Sequence, residues 1–243
     1  MSYFSSRYTH VYEPNPEFYR FKARRLVQSA RLLHQAKMTS FLDLGSGCGD
    51  LAEGMHQEFH LRVAGIERDL EMTRLADGKN IGEFKAQNLL DPVSSFYGQF
   101  DLISAFEVFE HLEHADHAKA LALYSAYATH DAIGAILVPN AAHPFLGGWI
   151  SWSDYTHRTC FTPESLGQML RDFGVQEARI VPWYSAGSPA LLACRKLSGE
   201  WMGKAFKLLC STLTTIPDSK DPFFSDALPF SSHILAVFKI PKT

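Results

Sequence analysis

Three glycines alternate through Asp43-Leu44-Gly45-Ser46-Gly47-Cys48-Gly49-Asp50. An apolar run, Phe41 to Leu44, enters them and an amphipathic segment follows, so the spacing predicts a strand, a tight turn and a helix. Glycine lets the main chain take turns that a Cβ forbids and lets a ligand lie against bare backbone. The first N–H groups of the helix have no intrahelical partner. Binding of a carboxylate, a ribose or a phosphate is the chemistry favoured there. Glu67 closes the next apolar run, Leu61 to Ile66. It stands about twenty residues beyond the turn, where a carboxylate can accept hydrogen bonds from ribose hydroxyls. The dinucleotide fingerprint G-x-G-x-x-G/A fits Gly45 and Gly47 but meets Asp50 at its third position, which disfavours a nicotinamide dinucleotide.

The pattern D-x-G-x-G-x-G, Asp43 to Gly49, resembles the first motif of the class I S-adenosylmethionine (SAM) methyltransferases. Glu107-Val108-Phe109-Glu110-His111 resembles the E-V-x-E-H stretch of many small-molecule members. Asp154-Tyr155-Thr156-His157 followed by Phe161-Thr162-Pro163 and Ser165-Leu166 resembles a stretch recurring in bacterial members that act on glycans and other small molecules. The resemblance covers Phe41 to about Gly174. It implies SAM as cofactor, bound by Asp43, Gly45, Ser46, Gly47, Cys48, Gly49, Glu67, Arg68, Asn88, Leu89 and Glu107. Where this chain has Asn88, the family often has an aspartate that bonds the adenine amino group. An amide oxygen can accept the same bond, and Asp91 is a second candidate.

A sulfonium already makes its methyl group electrophilic, so the protein has mainly to align an acceptor. A hydroxyl acceptor also needs a base. His157, Asp154 and His111 are the candidates, His157 first, with Asp154 or Tyr155 positioning the substrate. Two other roles stay open: His157 as a brace of its loop, and His111 as a capping or packing residue. Trp149, Trp152, Tyr155 and Arg158 are the expected substrate contacts. The tryptophans either stack on a sugar or lipid head group or form the core of a lid. The implied function is O-methylation of a small molecule, foremost a sugar of a bacterial surface glycan. The alternatives are a methyltransferase for a quinone or lipid-like molecule, and a SAM-binding regulator or scaffold without methyl transfer. No metal is expected. The four cysteines are scattered without a C-x-x-C pair, and His114, Asp116 and His117 read as a polar helix face.

These residues need a frame that gathers strand ends. Asn15-Pro16-Glu17 predicts a helix start, and Phe18, Phe21, Leu26, Ala30, Leu33 and Ala36 share one face of a helix to about Ala36. The basic residues Lys22, Arg24 and Arg25 read as its solvated side. Strands are expected at 39–44, 61–66, 83–86, 99–106, 132–138, 175–183 and 233–240, and helices at 50–59, 69–77, to Tyr127, and from Pro163, with Thr162 as N-cap. This alternation predicts a Rossmann-like, doubly wound, mostly parallel seven-stranded sheet with a C-terminal antiparallel strand. Gly45, Glu67, Asn88 and Glu107 then fall at the carboxyl edge of successive strands. One domain, 1–243, is expected, with a helical cover at 1–38, an aromatic substrate loop at 139–161 and a helical insertion at 188–222. The basic amphipathic stretch 190–210 suggests peripheral membrane contact or packing on the sheet. With 46% apolar residues there is ample core, and a net charge of −3 argues against a nucleic-acid partner. Unpaired cysteines and the lack of a signal peptide suggest a cytoplasmic location.

Overall fold

The computed structural model describes residues 15–35, 37–183, 201 and 231–241. Helix α1 is Pro16–Ala30, followed by β1 Ser40–Leu44, α2 Asp50–Phe59, β2 Arg62–Glu67, α3 Leu70–Asp77 and β3 Gly82–Ala86. Next come β4 Phe100–Phe106, α4 His117–Tyr127, β5 Ala128–Pro139, α5 Gly147–Trp152, α6 Pro163–Asp172, β6 Ala178–Trp183 and β7 His233–Lys239. The sheet runs β3-β2-β1-β4-β5-β7-β6. Strands β3 to β5 are parallel along it, and β7 is antiparallel to both β5 and β6. The order reverses between β1 and β4, which opens a crevice at their carboxyl ends.

Strand residues alternate between two apolar layers, as the two-residue period requires. Leu42, Leu44, Ile66 and Ile103 pack with Tyr124, Tyr127, Leu166 and Leu170 on one face. Phe41, Val63 and Leu102 pack with Leu26, Leu51 and Met55 on the other. Asp43 and Ser104 share the second face, and the β1–β4 register places them side by side.

Caps define the helices that frame the crevice. Asn15 accepts the Phe18 N–H and Pro16 opens α1. Thr162 and Ser165 form a reciprocal capping box at α6. Helix α1 ends at Ala30, six residues before the expected end near Ala36. It lies so close to α2 that a Cβ at Gly54 would stand 2.8 Å from the Tyr19 carbonyl oxygen.

The expected solvated side of α1 holds only in part. Arg24 is more than half exposed and pairs with Glu58 at 3.1 Å. Arg25 lies 4.5 Å from the Trp183 ring centre and donates to the Pro182 carbonyl. Lys22 turns into the crevice, its Nζ 4.5 Å from the Phe18 ring centre. These stems are long enough to follow apolar surface, which charge alone does not reveal.

Three other expectations change. The aromatic loop 139–161 contains helix α5. Strand β5 starts at Ala128, four residues early, through an irregular stretch where Asp131 has φ 64° and the register with β4 shifts. His117 is buried, stacks on Phe109 and bonds the Phe109 carbonyl oxygen through Nε2, so it packs rather than forming a polar face. The 188–222 insertion and the 190–210 stretch lie outside the described residues apart from Trp201, which is exposed. No described helix is long and apolar enough to cross a membrane.

Candidate active site

A cleft of about 1010 Å³ opens at the carboxyl ends of β1, β2 and β4. The glycine turn forms part of its floor. Gly45, Gly47 and Gly49 all have positive φ, and a Cβ on Gly45 would meet Val108 at 2.4 Å. At Gly47 a Cβ would meet nothing within 4 Å. Ser46 lines the cleft, and its hydroxyl oxygen has no hydrogen-bond partner.

Glu67 locks the turn to the end of β2. One carboxylate oxygen accepts the Gly47 N–H at 3.0 Å, and the other accepts the Asp69 N–H at 2.9 Å. Each oxygen keeps a lone pair for a further donor, so a ribose diol fits here. Asp50, the residue that breaks the dinucleotide fingerprint, is bound by Lys79 at 2.6 Å. Cys48 lines the cleft, its thiol pushed up to about 11 by burial and then by the Asp50 carboxylate.

Asp43 is 4% exposed and accepts from Ser104 Oγ at 2.6 Å. Burial pushes its carboxyl up to about 7, against the pull of Ser104 and of the Lys22 ammonium. Burial in turn lowers Lys22, although Glu107, Asp43 and Asp50 hold its proton on. An amino-acid group with both charges would meet complementary partners at Asp43 and Lys22. The donor set of this half of the cleft therefore fits an aminoacyl nucleoside.

Arg68, Asn88 and Leu89 also line the cleft, and Asp91 is absent from its lining. The Asn88 side-chain oxygen accepts the Leu90 N–H at 3.0 Å, so the carbonyl expected to face an adenine already holds its own loop.

The other half of the cleft is built by the chain after β4 and by the loop after α5. Glu107 has φ 57°, a strained backbone for a non-glycine residue. It faces His233 Nε2 at 3.6 Å. Glu110 is buried against the Glu107 carboxyl group, and among the described residues no other residue's backbone N–H and no basic side chain donates to its carboxylate oxygens. Burial, and next the Glu107 carboxylate, raise its pKa well above the usual carboxylate range. The Glu110 carbonyl accepts the N–H groups of Arg158 and Thr159 at 2.7 and 3.1 Å, which ties the two segments together.

His111, Asp154 and His157 line the same cleft, as does Trp149. The two imidazole rings are 4.7 Å apart, edge to face. Thr156 Oγ1 bonds both Asp154 Oδ1 at 2.7 Å and His111 Nδ1 at 2.9 Å. A hydroxyl has one proton; with that proton on the carboxylate bond, His111 Nδ1 must be the donor in the other. His157 Nδ1 faces the Ser151 carbonyl at 2.6 Å, and a carbonyl only accepts. In both rings the lone pair therefore falls on Nε2. Burial, then His157, lowers the pKa of His111. Burial would raise Asp154, but the Thr156 hydroxyl and N–H hold it low.

Trp152, Tyr155 and Arg158 are outside the lining, and Arg158 reaches Glu113 at 3.5 Å. Trp149, Trp152 and Tyr155 are 71%, 62% and 72% exposed. Tyr19, Lys22, Thr156 and Ser104 escaped the sequence reading. Ser104 had one visible signal: it is the lone polar residue in the apolar run Leu102 to Phe106.

A sequence profile described as a methyltransferase domain matches residues 17–177. No curated protein sequence matches the chain. Among solved structures, a SAM-dependent methyltransferase from Archaeoglobus fulgidus superposes with a TM-score of 0.64 at 16% identity, covering 98% of this chain and 100% of that one. The plantazolicin methyltransferase BpumL, bound to S-adenosylhomocysteine (SAH), gives 0.61 at 18% identity, covering 98% and 89%. A possible histamine N-methyltransferase from Thermotoga maritima gives 0.61 at 12% identity, covering 98% of each chain. At these identities the superpositions show a shared fold.

Proposed function

We propose, because the chain belongs to the methyltransferase-domain family, that it moves a methyl group from SAM to a hydroxyl of a small molecule, foremost a sugar of a bacterial surface glycan. One observation carries the reading. The glycine turn with Glu67, and the His111–His157 pair with Asp154, share a single cleft. Glu67 would take the ribose hydroxyls, Asp43 and Lys22 the charged amino-acid end, and the glycine turn the body of the cofactor. Its sulfonium supplies an electrophilic methyl group. The acceptor oxygen is activated at the two imidazoles, whose Nε2 lone pairs are fixed by Thr156 and Ser151.

The exposed ring of Trp149 in the cleft suits stacking on a sugar ring. Phe145 and Leu146, exposed a few residues before Trp149 in the chain, favour a second reading in which the acceptor is a quinone or another lipid-like molecule. Incubation with methyl-labelled SAM and a fractionated extract of the source cells separates the two. Label in polysaccharide or lipid-linked sugar, lost in His157→Ala, is the expected result. Label confined to a quinone or simple lipid would put the second reading in its place. A protein that binds SAH but labels no fraction would overturn both.

A further inference from the structure

Beside the cofactor half of the cleft, Glu110, His111 and His157 each bring a ligand atom to within 4.8 Å of the others'. The cluster is unusual for what it lacks. Glu110 is 1% exposed, and among the described residues neither of its oxygens accepts a hydrogen bond from another residue's backbone N–H or a basic side chain; its neighbour is the like-charged Glu107. Burial of a carboxyl group without hydrogen bonds is costly, and native structures reserve such sites for a proton, an ion or a ligand. The two rings beside it cannot serve as its donors through Nδ1, because those atoms are committed to Thr156 and Ser151. Three electron-pair donors thus converge beside a fourth carboxyl group, Glu107.

Around them stands the support that metal ligands need. Asp154 and Thr156 orient His111, the Ser151 carbonyl orients His157, and the Glu110 carbonyl is clamped by the Arg158 and Thr159 N–H groups. The geometry points to a divalent transition-metal site formed by Glu110, His111 and His157. Two imidazoles and one carboxylate suit Zn²⁺ or Mn²⁺ better than Mg²⁺, which prefers an all-oxygen shell.

His111 and His157 line the cleft, so the remaining coordination positions face the acceptor. The inference rests on the methyl-transfer reading and deepens it, because it names how the hydroxyl is activated. An acceptor hydroxyl bound to the ion loses its proton more readily. The proton passes to the Glu107 carboxylate, which lines the same cleft, and from there to solvent. The oxygen then forms its bond to the methyl carbon as the carbon–sulfur bond breaks, and sulfur leaves with the electron pair as SAH. The substrate class that suits the site carries a hydroxyl with a second oxygen on the neighbouring carbon, able to chelate one ion.

The test is metal binding by the full chain after chelator treatment. Zn²⁺ and Mn²⁺ are each titrated by calorimetry, and retained metal is counted after dialysis. SAH binding is measured in parallel on the same samples. One equivalent of ion should bind to the native protein. Affinity should fall at least tenfold in Glu110→Gln, which keeps the shape of the side chain, and in His157→Ala. Both variants should still bind SAH, which also shows that they are folded. Failure of SAH binding in the native protein would overturn the cofactor reading instead. No retained ion, or equal affinity in Glu110→Gln and His157→Ala, would overturn the metal site.

Discussion

Asp43 gives the protein a pH dependence whose sign follows from burial. Its carboxyl sits at about 7 in the fold against 3.8 as the ordinary value. Between those values the unfolded chain has lost this proton while the folded chain keeps it. Stability from this group is thus complete below about pH 4 and is lost as pH rises through 7. The size is on the order of a few kcal/mol. Asp43→Asn removes the titration while leaving an oxygen for Ser104. Urea midpoints without cofactor should therefore fall from pH 5 to pH 7.5 by more in the native protein than in the variant. Equal falls in both would show that Asp43 is ionised throughout. Glu110, raised in the same direction, is present in both proteins and cancels in the comparison.

Among the elements, the contact of α1 with α2 is the one that brings Lys22 to the cleft. Gly54 permits that approach, since a Cβ there would lie 2.8 Å from Tyr19 O and 3.2 Å from Arg20 N. Gly54→Ala should destabilise by roughly 1–3 kcal/mol, the range for overpacking. Gly148→Ala, in α5 with nothing within 4 Å of the added Cβ, should cost nothing. Chemical denaturation of both checks this, and an unchanged midpoint for Gly54→Ala would mean that α1 can move away cheaply. The capping box at α6 gives a second check. Thr162→Ala should lower stability by about 1 kcal/mol, and no loss would mean that Ser165 alone holds the helix start. At this scale the sequence was informative. Asp50–Phe59 fell where the turn and the period put it, and so did the capped start of α6 at Thr162. Helix α5 was hidden because Gly147 and Gly148 open it against helix propensity. The early start of β5 was hidden because Thr129-His130-Asp131 reads as a polar connection. The site was legible only as motifs. Glu110 stood in one of them, but its burial against Glu107 belongs to tertiary structure, as does the turn of Lys22 inward.

For the whole molecule, the cleft links folding to cofactor binding. A ligand that binds only the folded chain at a hundred times its Kd adds about 2.7 kcal/mol. SAH at that level should raise the Tm by several degrees, and an unshifted Tm would mean that no folded cleft recognises it. The central claim is that the glycine turn and Glu67 form a SAM site rather than a dinucleotide site. Calorimetric titration of SAH and of reduced nicotinamide dinucleotide into the native protein and Glu67→Gln tests it most directly. A neutral amide keeps one oxygen for the backbone N–H groups but cannot take both ribose hydroxyls as a carboxylate does. One SAH per chain, no nicotinamide binding, and at least a tenfold weaker SAH affinity in the variant, about 1.4 kcal/mol, are expected. Tight binding of the dinucleotide with none of SAH, or the same SAH affinity in Glu67→Gln, would contradict it.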